Sequence, residues 1–298
     1  MVKNPPTVVS IHAHPDDEVM LTGQFLAKAA DRGLRTVVVY GSRGEAGETD
    51  MDLGEETLGE RRSVEARAAC TELGVDRVEF LRYIDSGMAG TAANEHPDAF
   101  GRSDPAIVAA EIAALLADED VWAVVGYDAN GTYGHPDHLQ VHRVAHAVAP
   151  KLGAGWVLEA TYNREYLASL PDSDGSLDPK FAEAEETLTH FVQGETWFRA
   201  KMEGIKKHES QVRRGERAKK RPQRNIDGWR TRFGTEWFVA QSLRDTSSLG
   251  ALADVLEPKA NWPGPLNQPT PRTDSVSNTG DNPGRYLHPT GSKPKENQ

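Results

Sequence analysis

The sequence lacks the features that would place it in a membrane or in an oxidising compartment. Its 298 residues include a single cysteine, Cys70, which excludes an internal disulfide. It has no run of about 18 consecutive apolar residues, and it does not start with a basic segment followed by an apolar one. From these absences we expect a cytoplasmic protein with no membrane partner.

Positive charge is also scarce. The chain has 34 Lys and Arg residues against 45 Asp and Glu residues, a formal net charge of −11 at pH 7. Nucleic acid and anionic lipid repel a polyanion, so we expect neither as a partner and favour a small-molecule substrate. The sequence leaves open whether the chain forms a homo-oligomer.

Strand and helix patterns alternate through the first half of the chain. Apolar runs predict strands at 8–11 and 121–125, and further strands are expected at 36–40 and 78–81. Helical spacing and caps predict helices at 17–32, at 55–73 and from Pro105 onward, after a capping Asp104. This alternation predicts an α/β fold with a Rossmann-like, mostly parallel sheet flanked by helices.

The second half is less regular. We expect a helix from His138 to about Val148, a strand at 156–162, a loop at 171–194, a helix at 195–213 and a solvated basic run at 213–224. From about residue 258 the chain is rich in Pro, Gly, Asn, Thr and Ser and has few apolar residues. Such a segment cannot bury enough apolar surface to offset the entropy lost on ordering. We therefore predict a catalytic core at 1–165, a smaller C-terminal α/β region of the same domain with specificity loops at 166–257, and an extended or disordered tail at 258–298.

Two polar motifs, AHPDDE at 13–18 and GHPDH at 134–138, each follow a predicted strand. The carboxyl ends of neighbouring parallel strands flank the ligand crevice in such a sheet, so the motifs should meet. His14, Asp17 and His138 are suitable ligands for one divalent ion, and Asp16 could then serve as the base of a hydrolase.

Simpler interpretations of these residues stay open. Asp16 or Asp17 could be an ordinary helix N-cap. His142, one turn after His138, could be the third ligand instead, because histidines spaced i, i+4 can share a metal. His12 lies within a strand, where we expect it to be packed.

The second motif also supplies candidate donors. His135 would face the same crevice and could donate to an oxyanion, with Asp137 orienting its ring. Tyr133 is a second candidate donor. Alternatively, Tyr133 caps the end of the sheet with a satisfied hydroxyl.

AHPDDE at 13–18 together with GTYGHPDH at 131–138 resembles the PIG-L/LmbE-like zinc-dependent N-deacetylases. The similarity extends over about residues 7–165, with fainter matches at 206–212 and 235–240. It implies a Rossmann-like fold and hydrolysis of an N-acyl group, commonly acetyl, from an amino sugar, often a GlcNAc conjugate. The resemblance implies zinc ligands His14, Asp17 and His138, general base Asp16, and transition-state stabilisers His135 and Tyr133. One zinc per chain is expected, although His and carboxylate ligands also suit iron(II).

Within that family, DSGMAG at 85–90 and YDANGTYGHPDH at 127–138 most resemble the actinobacterial deacetylases that act on GlcNAc-inositol in mycothiol biosynthesis, followed by the mycothiol-conjugate amidases. This resemblance implies that Arg62 and Asp85 hold sugar or inositol hydroxyls and that Met88 lines the acyl pocket. Arg62 could instead form an ion pair with Glu65. The chain departs from this subgroup at 49–61, 171–194 and 213–224, regions that shape specificity.

Three functions compete with the deacetylase. An amidase acting on larger N-acyl conjugates would share every catalytic residue. A non-catalytic sugar- or nucleotide-binding module would be expected to carry a Gly-rich turn after the first strand, where this chain has AHPDDE. A metallophosphoesterase would gather more ligands for two ions and cationic groups for phosphate.

Overall fold

The computed structural model describes residues 5–170, 178–212, 226–244 and 248–266. Its strands are β1 Thr7–His12, β2 Arg35–Tyr40, β3 Arg77–Phe80, β4 Val121–Tyr127, β5 Trp156–Thr161, β6 His190–Gln193, β7 Thr235–Ser242 and β8 Glu257–Pro258. Its helices are α1 Asp17–Asp31, α2 Leu58–Glu72, α3 Pro105–Leu115, α4 Gly131–Gly134, α5 Pro136–Val148, α6 Arg164–Ser169, α7 Glu195–Lys207, α8 Glu209–Val212 and α9 Ile226–Phe233. Across these ranges, no helix combines the length and apolar character needed to cross a bilayer.

The described strands form one sheet in the order β3-β2-β1-β4-β5-β7-β6-β8. β1 to β5 are parallel, and their central strands are buried apolar runs, as expected where helices cover both faces of a sheet. The predicted Rossmann-like class is confirmed. The strand order reverses between β1 and β4, so the ligand crevice of this fold lies at their carboxyl ends.

The C-terminal strands differ from the sequence-based expectation. β7 runs antiparallel to both β5 and β6, and we did not predict it. The prediction of a loop at 171–194 was wrong at 190–193, which form β6, while 171–177 lie outside the described residues. The predicted helix at 195–213 ends at Lys207 and continues after His208 as the short α8.

Several predictions fall on residues that the structure does not describe. The basic run at 213–224 lies outside the described ranges, and so does the predicted tail beyond residue 266. Within the described start of that segment, the Trp262 ring packs 4.8 Å from the Trp237 ring. The division into core, C-terminal region and tail stays a prediction.

A buried ion pair positions α1, the helix that begins at the first polar motif. Lys201 on α7 lies 2.9 Å from Glu236 on β7, and both side chains are buried. Glu236 also accepts backbone N–H groups of Gln24 and Phe25, and Lys201 donates to the Met20 carbonyl. Because removal of one partner would leave a buried charge uncompensated, the pair fixes how α1 sits against the C-terminal elements.

Candidate active site

The two polar motifs meet at the carboxyl ends of β1 and β4. His14 follows β1, and His138 lies in the first turn of α5, shortly after β4. The two strands are parallel neighbours, and the centroids of the two imidazole rings are 5.5 Å apart. The structure therefore brings together residues that are far apart in sequence.

His14, Asp17 and His138 form a buried group that we call the inner cluster. Oδ2 of Asp17 lies 3.5 Å from His14 Nδ1 and 3.3 Å from His138 Nε2. One ligand atom from each residue lies within 4.8 Å of the other two. Nδ1 of His138 is 3.0 Å from the Thr132 hydroxyl, a partner of the kind that fixes a ligating histidine. Two imidazoles and a carboxylate thus fit one divalent transition-metal ion.

The alternative third ligand, His142, has other contacts. Its Nδ1 lies 3.4 Å from Glu159 Oε1 and 3.1 Å from the Tyr127 carbonyl oxygen. His12 is buried in the sheet, where its ring contacts the hydroxyl groups of Ser10 and Tyr127. Neither histidine joins the inner cluster.

Asp16 has a backbone conformation that is rare for a residue other than glycine. Its φ of 107° and ψ of −24° are left-handed, and its side chain makes no capping hydrogen bond to α1. Burial raises the pKa of the Asp16 carboxyl, neighbouring Asp17 adds to the rise, and Arg62 opposes it. Backbone strain of this kind persists only where surrounding structure holds it, and it concentrates at functional sites.

The strained Asp16 is held from two sides. Its backbone N–H donates to Glu18 Oε2 at 2.8 Å, and the other oxygen of Glu18 lies 2.6 Å from His208 Nε2. On the opposite side, Arg62 Nη2 lies 3.3 Å from Asp16 Oδ1. Glu18, His208 and Arg62 are all buried.

Arg62 does not pair with Glu65. Its guanidinium donates to the Gly44 carbonyl at 2.8 Å and to the Pro15 carbonyl. Glu65 accepts instead from the backbone N–H and the hydroxyl of Ser210. The ion pair that Arg62 forms is therefore with Asp16 and not with Glu65, and the described contacts of Arg62 support the loop that carries Asp16.

His135 is arranged as a neutral hydrogen-bond donor. Burial lowers its pKa to about 4, and the neighbouring His14 and His138 contribute to the decrease. Its Nδ1 accepts the Asp137 backbone N–H at 3.2 Å, so the proton of the neutral ring lies on Nε2. The ring packs 4.7 Å from the His14 ring, which places this donor beside the inner cluster.

Asp137 contacts the His135 ring through its backbone N–H, while its carboxylate makes other hydrogen bonds. The Asp137 carboxylate accepts from the backbone N–H and hydroxyl of Ser86, and its Oδ2 lies 3.0 Å from His14 Nε2. Only the backbone N–H of Asp137 contacts His135. The Asp137 carboxylate therefore contacts His14 and can orient its ring, and Ser86 holds the carboxylate in place.

Tyr133 lies next to the inner cluster. Its hydroxyl is 3.2 Å from His138 Nε2. Burial raises the pKa of Tyr133 well above its usual range, and Asp17 and Asp16 add to the effect, so the hydroxyl keeps its proton. It is available as a second donor next to His135.

Asp85 and Met88 lie on the loop after β3. Asp85 Oδ1 is 3.3 Å from His14 Nε2 and accepts the Gly87 N–H at 2.8 Å. Burial acts to raise the pKa of Asp85, but the hydrogen bond and charge of His14, the Gly87 N–H and the charge of His135 together outweigh it and hold the pKa well below the usual range. The Met88 side chain is half exposed. Asp85 therefore borders the inner cluster, and Met88 lies on the same loop. Contact of either residue with a substrate stays a prediction.

Several supporting residues were not predicted from the sequence: Glu18, His208, Ser86, Thr132 and Asp128. Glu18 is the last letter of AHPDDE, and His208 falls in the fainter match at 206–212, but nothing local indicates that they pair. Asp128 accepts the backbone N–H groups of Asn130 and Thr132, which holds the turn before His138. Thr132 itself has a left-handed φ of 59°.

Comparison with known proteins agrees with this geometry. The family model described as "PIG-L: GlcNAc-PI de-N-acetylase" matches residues 9–149. The chain is 33% identical over 244 residues to 1D-myo-inositol 2-acetamido-2-deoxy-alpha-D-glucopyranoside deacetylase of Thermobifida fusca (strain YX). That alignment covers 70% of this chain and 84% of the relative.

Two solved structures share the fold at lower sequence identity. The A40926 pseudoaglycone deacetylase Dbv21 superimposes with a TM-score of 0.54 and 19% identity, covering 80% of this chain and 98% of its own. The N,N'-diacetylchitobiose deacetylase of Pyrococcus horikoshii gives 0.54 and 17%, covering 79% and 84%. At this identity the likeness establishes the fold alone.

Proposed function

The chain belongs to the PIG-L family of de-N-acetylases and is an amide hydrolase, and from this premise we propose that it removes the N-acetyl group of a GlcNAc-inositol conjugate with one bound zinc ion. One observation carries the proposal: the inner cluster offers three ligands to an ion, and the Asp16 carboxylate beside it is not one of them. The similarity to GlcNAc-inositol deacetylases supports the choice of substrate.

The residues around the inner cluster divide the chemistry among them. A divalent ion held there would polarise the acetamide carbonyl and a water molecule. Asp16 would take the proton from that water and deliver it to the departing amine, a task that its raised pKa suits. His135 Nε2–H and the Tyr133 hydroxyl would donate to the oxygen on which negative charge develops. The products are a free amine and acetate.

The loop after β3 supports an amino-sugar substrate. The ionised Asp85 carboxylate would accept a sugar or inositol hydroxyl, and the half-exposed Met88 would contact the acyl group. The contacts of Arg62 with Asp16 and two carbonyls favour a role in holding the base. Any contact between Arg62 and the inositol would require its buried guanidinium to exchange partners.

An amine-release assay tests the proposal. GlcNAc-inositol, free GlcNAc and GlcNAc-inositol analogues with longer acyl chains would be offered to zinc-loaded, iron(II)-loaded and chelator-treated protein. We expect fastest release from the acetyl conjugate with zinc, and loss of release after chelation. Faster turnover of a bulky acyl conjugate would support the amidase alternative. Sugar or nucleotide binding without amine release from any substrate would contradict the proposal.

A further inference from the structure

A second group of side chains with suitable ligand atoms for a metal ion lies further along α5 and on β5. His142 and His146 are one turn apart on α5, and Glu159 lies on the neighbouring strand β5. We call these three residues the outer cluster. Glu159 Oε1 lies 2.7 Å from His146 Nε2 and 3.4 Å from His142 Nδ1, and one ligand atom from each residue lies within 4.8 Å of the others.

The outer cluster is oriented by neighbours that are not themselves ionisable. The Gln241 amide on β7 donates to Glu159 Oε1 at 3.1 Å. The Tyr127 carbonyl oxygen lies 3.1 Å from His142 Nδ1, the nitrogen that also faces Glu159, so this hydrogen bond orients the ring before an ion binds and is given up when Nδ1 becomes a ligand. Metal ligands in proteins commonly have such outer partners, which fix the angle of a ring or a carboxylate before the ion binds.

The 3.4 Å between His142 Nδ1 and Glu159 Oε1 matches the spacing of ligand atoms in a metal site, while the 2.7 Å between His146 Nε2 and Glu159 Oε1 is a hydrogen-bond distance that would lengthen on metal binding. Ligand atoms of a tetrahedral zinc site, each about 2.0–2.2 Å from the ion, lie roughly 3.3 Å apart. One ion pair would need only one histidine, whereas here two imidazoles with centroids 4.7 Å apart approach the same carboxylate oxygen. Two protonated rings at this separation would repel each other, and a divalent ion requires both to be neutral.

We propose that His142, His146 and Glu159 bind a second divalent transition-metal ion, of the zinc type. The His142 and His146 side chains are 25% and 32% exposed, so an ion can enter from solvent. Two histidines at i, i+4 on one helix face with a carboxylate from another element are a recognised zinc-binding arrangement. The site ties α5 to β5.

The second ion has a structural consequence for the active site. The first turn of α5 carries His138, and His142 follows one turn later on the same helix. An ion that joins α5 to β5 would therefore restrain the helix that presents a ligand to the inner cluster. The inference is independent of the proposed reaction, because it concerns binding and stability rather than turnover.

Metal counting on the full chain tests the inference. Metal-free protein would be titrated with Zn²⁺, and with Co²⁺ for its visible spectrum, in four forms: wild type, Asp17→Asn, His146→Asn and the double variant. We expect about two, one, one and zero ions per chain, because each substitution removes one ligand from one cluster. His190→Asn is the matched control, because His190 contacts Thr189 and belongs to neither cluster; it should keep both ions.

Thermal unfolding separates a lost ion from a damaged fold. In the Asp17→Asn background, Zn²⁺ should raise the melting temperature, and adding His146→Asn should remove that rise while leaving the metal-free melting temperature nearly unchanged. His142→Asn provides a second variant if His146→Asn does not fold. The inference is overturned if wild type binds one ion, or if the second ion persists in both histidine variants.

Discussion

The inner and outer clusters use the same kinds of side chain, two imidazoles and one carboxylate, in different surroundings. The inner ligand side chains are at most 9% exposed, whereas the outer histidines are 25% and 32% exposed. Three further acids, Asp16, Asp85 and Asp137, surround the inner cluster. The described neighbours of the outer cluster are a carbonyl and an amide. The comparison indicates that three ligand side chains are enough to hold an ion. Hydrolysis also requires an acidic side chain that is not a ligand and hydrogen-bond donors to the substrate.

Backbone geometry separates the two clusters in the same way. Asp16 and Thr132, the two residues other than glycine with positive φ in the described chain, both flank the inner cluster. The outer cluster is built on a regular helix and strand. The strained backbone at Asp16 and Thr132 sets the direction of side chains beside the inner cluster. Buried contacts such as that between Glu18 and His208 maintain the strained conformation.

The largest expected effect comes from removing the unligated acid. Asp16→Asn should lower kcat by about 10²–10⁴-fold, because general base catalysis contributes this much. The inner ion should stay bound, since its three ligands are unchanged. Steady-state amine release and elemental analysis of the same preparation measure both quantities.

The matched control for Asp16→Asn is a carboxylate-to-amide change at the outer cluster. Glu159→Gln should lose the second ion and lower kcat by less than about tenfold, because the residue lies outside the catalytic group. Equal losses in the two variants would break the distinction between the clusters. Full turnover by Asp16→Asn would remove Asp16 from the mechanism.

A smaller effect is expected from the buried support of Asp16. His208→Ala should lower kcat by about 10–100-fold with KM changed by less than about threefold, because an outer partner of the site is lost. His208→Gln keeps a donor toward Glu18 and should recover much of that loss. If kcat fell equally in the His208→Ala and His208→Gln variants, or if only KM changed, His208 would be a packing residue and not one that positions Asp16.

The parallel half of the fold could be predicted because its signals are local. Strands β1, β2, β4 and β5 contain apolar runs, and caps such as Asp104 before Pro105 mark where helices begin. β6 has only four residues and pairs with β7 across a sequence separation of more than 40 residues. β7 starts buried and ends exposed, so neither a period of two nor an apolar run identifies it.

The members of the inner cluster could be predicted for the same reason, because His14, Asp17 and His138 stand in short motifs after strands. The residues that support the inner cluster could not be predicted from the sequence. The partners Glu18 and His208 are 190 residues apart, and Ser86 and Asp137 are 51 apart. Such pairs depend on tertiary packing, which spacing along the chain does not encode. The outer cluster was missed because its third member, Glu159, lies within a strand without a motif.

The end of β4 carries a support of each cluster, and the pH dependence of stability tests that junction. The Tyr127 carbonyl contacts the outer cluster, while the next residue, Asp128, holds the turn that leads to His138. Burial raises the pKa of Asp128 from 3.8 to about 6, against hydrogen bonds from Thr132 N–H and the Thr161 hydroxyl.

Because the folded state binds the Asp128 proton more tightly than the unfolded state, the contribution of Asp128 to the free energy of unfolding should fall as the pH rises from 3.8 to about 6. Asp128→Asn does not titrate, so wild type should lose about 2–3 kcal/mol relative to the variant across this window. Urea unfolding of both proteins at several pH values measures it, with chelator present to exclude proton-linked metal binding. A constant difference between the two proteins would show that burial does not keep Asp128 protonated, and that the turn before His138 is held by a charged carboxylate instead.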